Sequence, residues 1–377
     1  MPPRIHIVSD DPDFDPDLLS HLQTEGFTTT YIPLLPPEKP DLTPLRHIAD
    51  DLEFGESYAI LAFGSAASAC LDFYATPQPH ICALVAYYPT RISSPLMKFP
   101  PSLHVLTHLA ASQHFAPAFP SYTYSSVQPG FAERDLEEFD EVAASLSWTR
   151  SLGLLRRAFR LDHDHAADLE RVWEEHVAHA FSPSPPGGTG REVAAAARTE
   201  DAMRTFVADE PSLTHIPTLT GGVGTEALSQ FYHASFLSGT PPSTRMRLIS
   251  RTIGVDRLVD EFVLSFEHTS PIAWLLPGVQ PTGKKVSVPV VAVVGFKGGK
   301  VWRERVYWDQ ASVLVQVGLL DGRLLPVVGR EEAEVVRGER VELNGLLEGE
   351  RVDGKAMKGE GMKLPERPKK AKGTGGG

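Results

Sequence analysis

AILAFGSAASA, residues 59–69, is an apolar run that breaks into small residues before a helical pattern begins. A strand that enters a helix through a tight turn can mount a nucleophile at the tip of that turn. That turn needs small residues two before and two after the reactive position, because backbone passes close to backbone there. Ala62 and Ala66 meet the requirement around Gly64, so glycine stands where a nucleophile would. Ser65 and Ser68 lack the same flanks and point along the helix. The stretch therefore reads as the turn of an α/β scaffold without its reactive side chain.

Working outward, short apolar runs (RIHIVS, TTYIPL, YAILAF, ICALVAYY, LHVLTHL) alternate with helix-compatible stretches over residues 1–155. That is βαβ spacing, and it implies a parallel sheet covered by helices. A helical stretch, DLEEFDEVAASLSWTRSLGLLRRAF, closes this part. IHIVSDD, AILAFGSAASA, ALVAYYP and YSSVQPGFAERDLEEFDEVAASLSWTR together resemble the dienelactone hydrolase family, over about 150 residues. The resemblance places the family's nucleophile at Gly64 and its histidine at Pro129 in QPGF, and it finds no acid in LTHLAAS. All three triad members are missing, which removes the Ser–His–Asp route to acyl transfer. His104, His108 and His114 are weak replacements, since a base must sit within reach of a group worth deprotonating.

Residues 156–322 read differently. A helix, AADLERVWEEHVAHAF, is followed by the Pro/Gly loop SPSPPGGTG, a helix around 224–237, and long runs that read as antiparallel strands with KGGK as a hairpin turn. Alternation puts Asp260 and His268 on one face of VDEFVLSFEHT with Phe262, Leu264 and Phe266, and polar groups on so apolar a face need a reason. It also puts Glu304 and Trp308 on one face of the last strand, with Arg303, Tyr307 and Asp309 on the other.

HT at 268–269, GVQPTGKKVSVPVVAVVGF at 278–296 and GKVWRERVYWDQASVLVQVGL at 299–319 resemble the SnoaL-like polyketide cyclases, whose cone-shaped α+β fold is that of the nuclear-transport-factor-2-like superfamily. The resemblance implies that Asp309 is the acid/base aspartate, His268 the pocket histidine and Glu304 an acidic pocket position. A carboxylate bordered by Trp308 and Phe266 would be raised towards working pH by desolvation. It could then move a proton alpha to a carbonyl without metal or cofactor, with Tyr232, His233 or Arg251 orienting the ligand. Each residue also has a structural reading. Asp309 in WDQASVLVQ suits an N-cap, Tyr232 and His233 suit a packed helix face, and Arg251 suits a cross-strand ion pair.

The expected function is a cofactor-independent cyclase or isomerase acting on a small hydrophobic carbonyl compound, with the hydrolase-like part as an inactive scaffold. A non-catalytic binding or dimerising protein is the first alternative, and an ester or lactone hydrolase with an unusual nucleophile the second. The strand VPVVAVVGF is a candidate surface for a homodimer, or the face that receives the first domain. A net charge of −12 argues against nucleic acid and anionic membrane as partners. Two cysteines exclude a disulfide framework and fit a cytoplasmic setting. DHDH (162–165) and HVAH (176–179) lack a complete ligand set, so no metal is expected. Residues 323–377, ending in LPERPKKAKGTGGG, are expected to be a mostly disordered tail.

Overall fold

The structure, a computed structural model, describes residues 2–35, 40–161, 165–181, 188–323 and 325–347, the side chains of 188–194 excepted. Most of DHDH, the SPSPPG part of the Pro/Gly loop and the tail from residue 348 lie outside the described residues. Among the described residues, no helix is long and apolar enough to cross a membrane.

The first sheet holds β1 (Arg4–Ser9), β2 (Thr28–Pro33), β3 (Tyr58–Phe63), β4 (Ile81–Tyr87), β5 (His104–Ala110) and β6 (Ser121–Tyr124) in the order β2-β1-β3-β4-β5-β6. Every pairing is parallel. YAILAF is buried at all six positions, as expected of a central parallel strand covered on both faces. The helices are α1 (Pro16–Thr24), α2 (Thr43–His47), α3 (Gly64–Tyr74) and α4 (Glu141–Ala158). The Asp15 side chain caps α1 and the Asp140 side chain caps α4. The cap sets the start of α4 at residue 141, so the DLEEFD end of the expected helix lies outside it.

In the second half, α5 (His165–Phe181) and α6 (Gly188–Arg204) precede β7 (Ser212–His215), β8 (Thr220–Val223) and α7 (Thr225–Phe231), which continues as one π-helical turn over Tyr232–Leu237. Then come β9 (Arg245–Ile253), β10 (Arg257–Glu267), β11 (Lys285–Lys297), β12 (Lys300–Trp308), α8 (Gln310–Gln316) and α9 (Glu331–Val336). The sheet order is β8-β7-β12-β11-β10-β9, antiparallel except where β12 meets β7. Alternate residues of β11 are buried, so one face of this curved sheet carries the core that α5, α6 and α7 cover. α9 packs on β11 and buries Ala333, so the expected tail contains an ordered helix.

Two turns of the second half hold the first. Gly298 and Gly299 form the KGGK hairpin at φ +57 and +72, a conformation that glycine adopts without strain. The Gly298 N–H donates to Glu25 Oε1 at 2.7 Å, and a Cβ at Gly298 would stand 2.5 Å from Thr24 Cγ2. In the β9–β10 turn, Val255 packs against the core of the first sheet, and Asp256 accepts from the Thr149 hydroxyl at 2.7 Å.

Candidate active site

The turn at Gly64 keeps the geometry that the sequence implies. Gly64 has φ +59, the left-handed value that such a turn imposes on the residue at its tip. The Ser65 N–H, which would face a developing oxyanion, instead donates to Asp10 Oδ2 at 3.1 Å. A Cβ on Gly64 would lie 2.7 Å from Asp10 Oδ1. Pro129 is exposed in a turn. His108 is fully buried, its Nδ1 at 2.8 Å from the Tyr124 hydroxyl and its Nε2 at 2.9 Å from Ser151 Oγ. Burial pushes it down to about 3, so it is a neutral core histidine. His104 and His114 are exposed.

The second half encloses a cavity between its sheet and helices. Asp260, Phe262 and Leu264 line it from β10, Val290 and Ala292 from β11, Glu304, Val306 and Trp308 from β12, and Leu213 and His215 from β7. Trp173, His176, Ala180, Tyr232, Phe236 and Trp274 close it, while the less buried Val177, Phe181 and Met246 mark its mouth. The free space is about 30 Å³, room for one or two water molecules.

Polar groups on this apolar wall are individually constrained. Both oxygens of Asp260 are engaged: Arg251 Nε reaches Oδ1 at 2.7 Å, while Arg251 Nη2 at 2.8 Å and Trp173 Nε1 at 2.7 Å reach Oδ2. Arg251 in turn meets Glu170 and Glu174. Thr205 gives its hydroxyl proton to the Ala202 carbonyl, so it accepts from His176 Nδ1–H at 2.8 Å. His176 Nε2 is therefore bare and accepts the Tyr232 hydroxyl at 2.9 Å. Burial lowers His176 to about 3 and raises the Tyr232 hydroxyl well above its ordinary value, helped by the nearby Glu304.

Glu304 is the carboxyl left available. Burial alone raises it to about 8, and its Oε2 has no hydrogen-bond partner among the described residues. The Nε1–H of Trp274, on the same cavity, also has none. The Trp308 N–H, by contrast, is spent on Gln310 Oε1 at 2.6 Å. One unpaired carboxyl oxygen and one unpaired N–H thus line the same cavity, whose other polar side chains, Asp260, His176, His215 and Tyr232, have hydrogen-bond partners, an arrangement that a polar ligand atom would complete.

The expected residues divide on this geometry. Glu304, Trp308, Asp260 and Tyr232 line the cavity together. Asp309 does not: β12 ends at Trp308, and Asp309 caps α8, its Oδ1 accepting the Ala311 N–H at 2.7 Å. It also helps burial raise Glu332 to about 8. His268 lies beyond the end of β10, fully buried, with Nδ1 at 3.1 Å from Thr282 Oγ1, and it too is off the lining. Phe266 belongs to the core, His233 is half-buried off the lining, and Arg251 is the ion-pair partner that cross-strand register with Asp260 provides. Sequence reasoning passed over His176, His215, Trp173 and Trp274. HVAH as a motif points only to metal, yet the three-residue step from Trp173 to His176 puts both on the buried face of α5. Among the described residues, no group of three His, Cys, Asp or Glu side chains is placed to hold a metal ion.

No protein-family model matches the chain, and no curated protein matches it. Solved structures resemble it in two ways. Both expected likenesses are found. A protein assigned as a SnoaL-like polyketide cyclase from Jannaschia sp. CCS1 shares 16% identity over 42% of this chain and 96% of its own, with a TM-score of 0.32. A hypothetical protein with a ketosteroid isomerase-like fold from Catenulispora acidiphila DSM 44928, solved with trimethylamine, shares 14% over 40% and 93%, at 0.29. A protein assigned as a dienelactone hydrolase from Klebsiella pneumoniae subsp. pneumoniae MGH 78578 shares 17% over 40% and 85%, at 0.32. Likeness at this level leaves function to the geometry of the site.

Proposed function

We propose that the second half of the chain is a cofactor-independent acid/base isomerase or cyclase, acting on a small hydrophobic carbonyl compound by proton transfer at the carbon alpha to the carbonyl. The observation that carries this reading is that an unpartnered Glu304 Oε2 and an unpartnered Trp274 N–H both belong to the lining of one largely apolar cavity. A carbonyl oxygen takes the Trp274 N–H, which strengthens as enolate charge develops in a site with little water. With Glu304 raised to about 8, roughly a tenth is ionised at pH 7. That fraction is a stronger base than an exposed glutamate, and once protonated it returns the proton to a different carbon. Tyr232, His176 and Thr205 form a chain of hydrogen bonds that holds the wall beside Glu304 in place. A substrate enters by displacing Val177, Phe181 and Met246 at the mouth, because the resting space is too small for a carbon skeleton.

The first half serves as a scaffold in this reading. Asp10 fills the position facing the Ser65 N–H, and no side chain extends from Gly64. A cavity that binds a ligand without turning it over is the competing reading. The two separate on conversion of 3-cyclohexen-1-one to its conjugated isomer, followed by ultraviolet absorbance, together with deuterium uptake at the alpha carbon. Turnover that Glu304→Gln lowers by about 10²–10⁴-fold supports catalysis. Binding of the ketone with no exchange above background leaves a binding protein.

A further inference from the structure

A second, much larger space lies away from both sites. It is a groove of about 900 Å³ lined by the 97–103 segment, the starts of β5 and β6, one face of α4, and Val255 from the other half of the chain. Its size falls in the range of small-molecule sites. Because the first sheet is parallel, the groove opens at the amino ends of its strands, opposite the Gly64 turn.

Its charge is at odds with the rest of the molecule. The chain carries −12 overall, yet the groove is lined by Lys98, Arg150 and Arg157 and by no carboxylate. None of the three cations has an ion pair among the described residues, where most other arginines sit beside an acid. Arg150 also lies over two aromatic rings. Its guanidinium lies 3.8 Å from the centre of the Tyr122 ring and 5.3 Å from that of Tyr124. That contact covers one face of the guanidinium, and one of its edge donors bonds the Tyr124 side chain, so the remaining donors suit a flat, two-oxygen anion. The floor beneath is apolar, made by Leu103, Leu106, Phe119 and Leu154.

We infer that this groove binds a small organic anion, with a carboxylate or phosphate head between Arg150, Arg157 and Lys98 and an apolar body on that floor. Val255 and Thr149 line the groove, and Thr149 is bonded to Asp256, so an occupant touches the joint between the two halves. The inference is independent of the reaction proposed above.

Calorimetric titration of the full chain with 4-phenylbutyrate, phenyl phosphate and 4-phenyl-1-butanol tests it, the three sharing an aryl body. Binding of either anion is expected, with the neutral alcohol weaker by about tenfold or more, as for loss of a charge-assisted hydrogen bond. The tighter of the two anions identifies the head group. The double variant K98Q/R157Q, at two exposed side chains, should weaken anion binding by about tenfold or more, and Glu304→Gln should leave it unchanged. Equal binding of the alcohol, unchanged binding by K98Q/R157Q, loss of binding in Glu304→Gln, or no binding of either anion at millimolar concentration would each overturn the inference.

Discussion

His176 Nε2 and Glu304 Oε2 lie 3.6 Å apart, and at neutral pH neither group is predominantly charged. By distance alone they would count as an ion pair. Burial lowers the histidine to about 3 and raises the glutamate to about 8, so the contact joins two neutral groups between those values. If Glu304 is the base, its active form appears only as pH rises. kcat/KM for enone isomerisation should climb to a plateau above about pH 8, and a pH–rate profile checks this. A flat profile from pH 6 to 9 would remove Glu304 from the base role.

Trp274→Phe keeps an aromatic ring where the indole packs 4.9 Å from His215 and 5.8 Å from Trp308 but removes the unpartnered N–H. A donor that matters most in the transition state shows its loss in kcat more than in KM. The expected effect is a fall in kcat of about a hundredfold, with KM nearly unchanged. Steady-state kinetics of the variant decide it, and a change confined to KM would make Trp274 a binding contact only.

Asp309 separates what the sequence shows from what it hides. An acid at the end of a strand and the start of a helix reads equally well as a catalytic group or as a cap, and only the position of the helix axis decides between them. Here the carboxylate accepts the Ala311 N–H. Asp309→Ala should lower stability by about 1 kcal/mol, measured by urea unfolding, and leave turnover intact. Loss of turnover without loss of stability would return Asp309 to the reaction.

Other parts of the architecture were more legible. The parallel strands announced themselves as short apolar runs because both faces are buried, and β11 announced itself by alternation. β6 did not, since SYTY is an edge strand with little apolar content. α6 was hidden by the Pro/Gly loop before it. Glu304 was placed on the inward face by period alone, but its isolation depends on partners distant in sequence. Arg251 pairs with Asp260 across strands, and Tyr232 pairs with His176 across 56 residues, which leaves Glu304 unpaired.

Buried titratable groups set opposing slopes for stability against pH. His108, His176 and His215 are each lowered to about 3, so the unfolded chain binds more protons below pH 6.5 and stability falls as pH drops through that value. Glu304 at about 8 and Glu133 at about 7 are raised, so the folded chain binds more protons above pH 4.5 and stability falls as pH rises towards 8. The two trends cross near pH 6.5, where urea midpoints should be highest, with lower values at pH 5 and pH 8.5. A midpoint that rises steadily from pH 5 to 8.5 would contradict the burial of these groups.

Gly64 offers the most direct probe of the turn between β3 and α3. Any other residue there meets two costs. The left-handed φ of +59 disfavours a side chain, and its Cβ would press within 2.7 Å of Asp10 Oδ1. Together these should make Gly64→Ala destabilising by about 1–3 kcal/mol. Asp10→Ala removes the contact but leaves the Ser65 N–H without its acceptor. In a double-mutant cycle, the Gly64→Ala cost measured in the Asp10→Ala background should therefore shrink to the backbone share of about 1 kcal/mol. Differential scanning calorimetry of the four proteins gives the coupling. Strict additivity would mean that Asp10 does not hold the turn closed against a side chain.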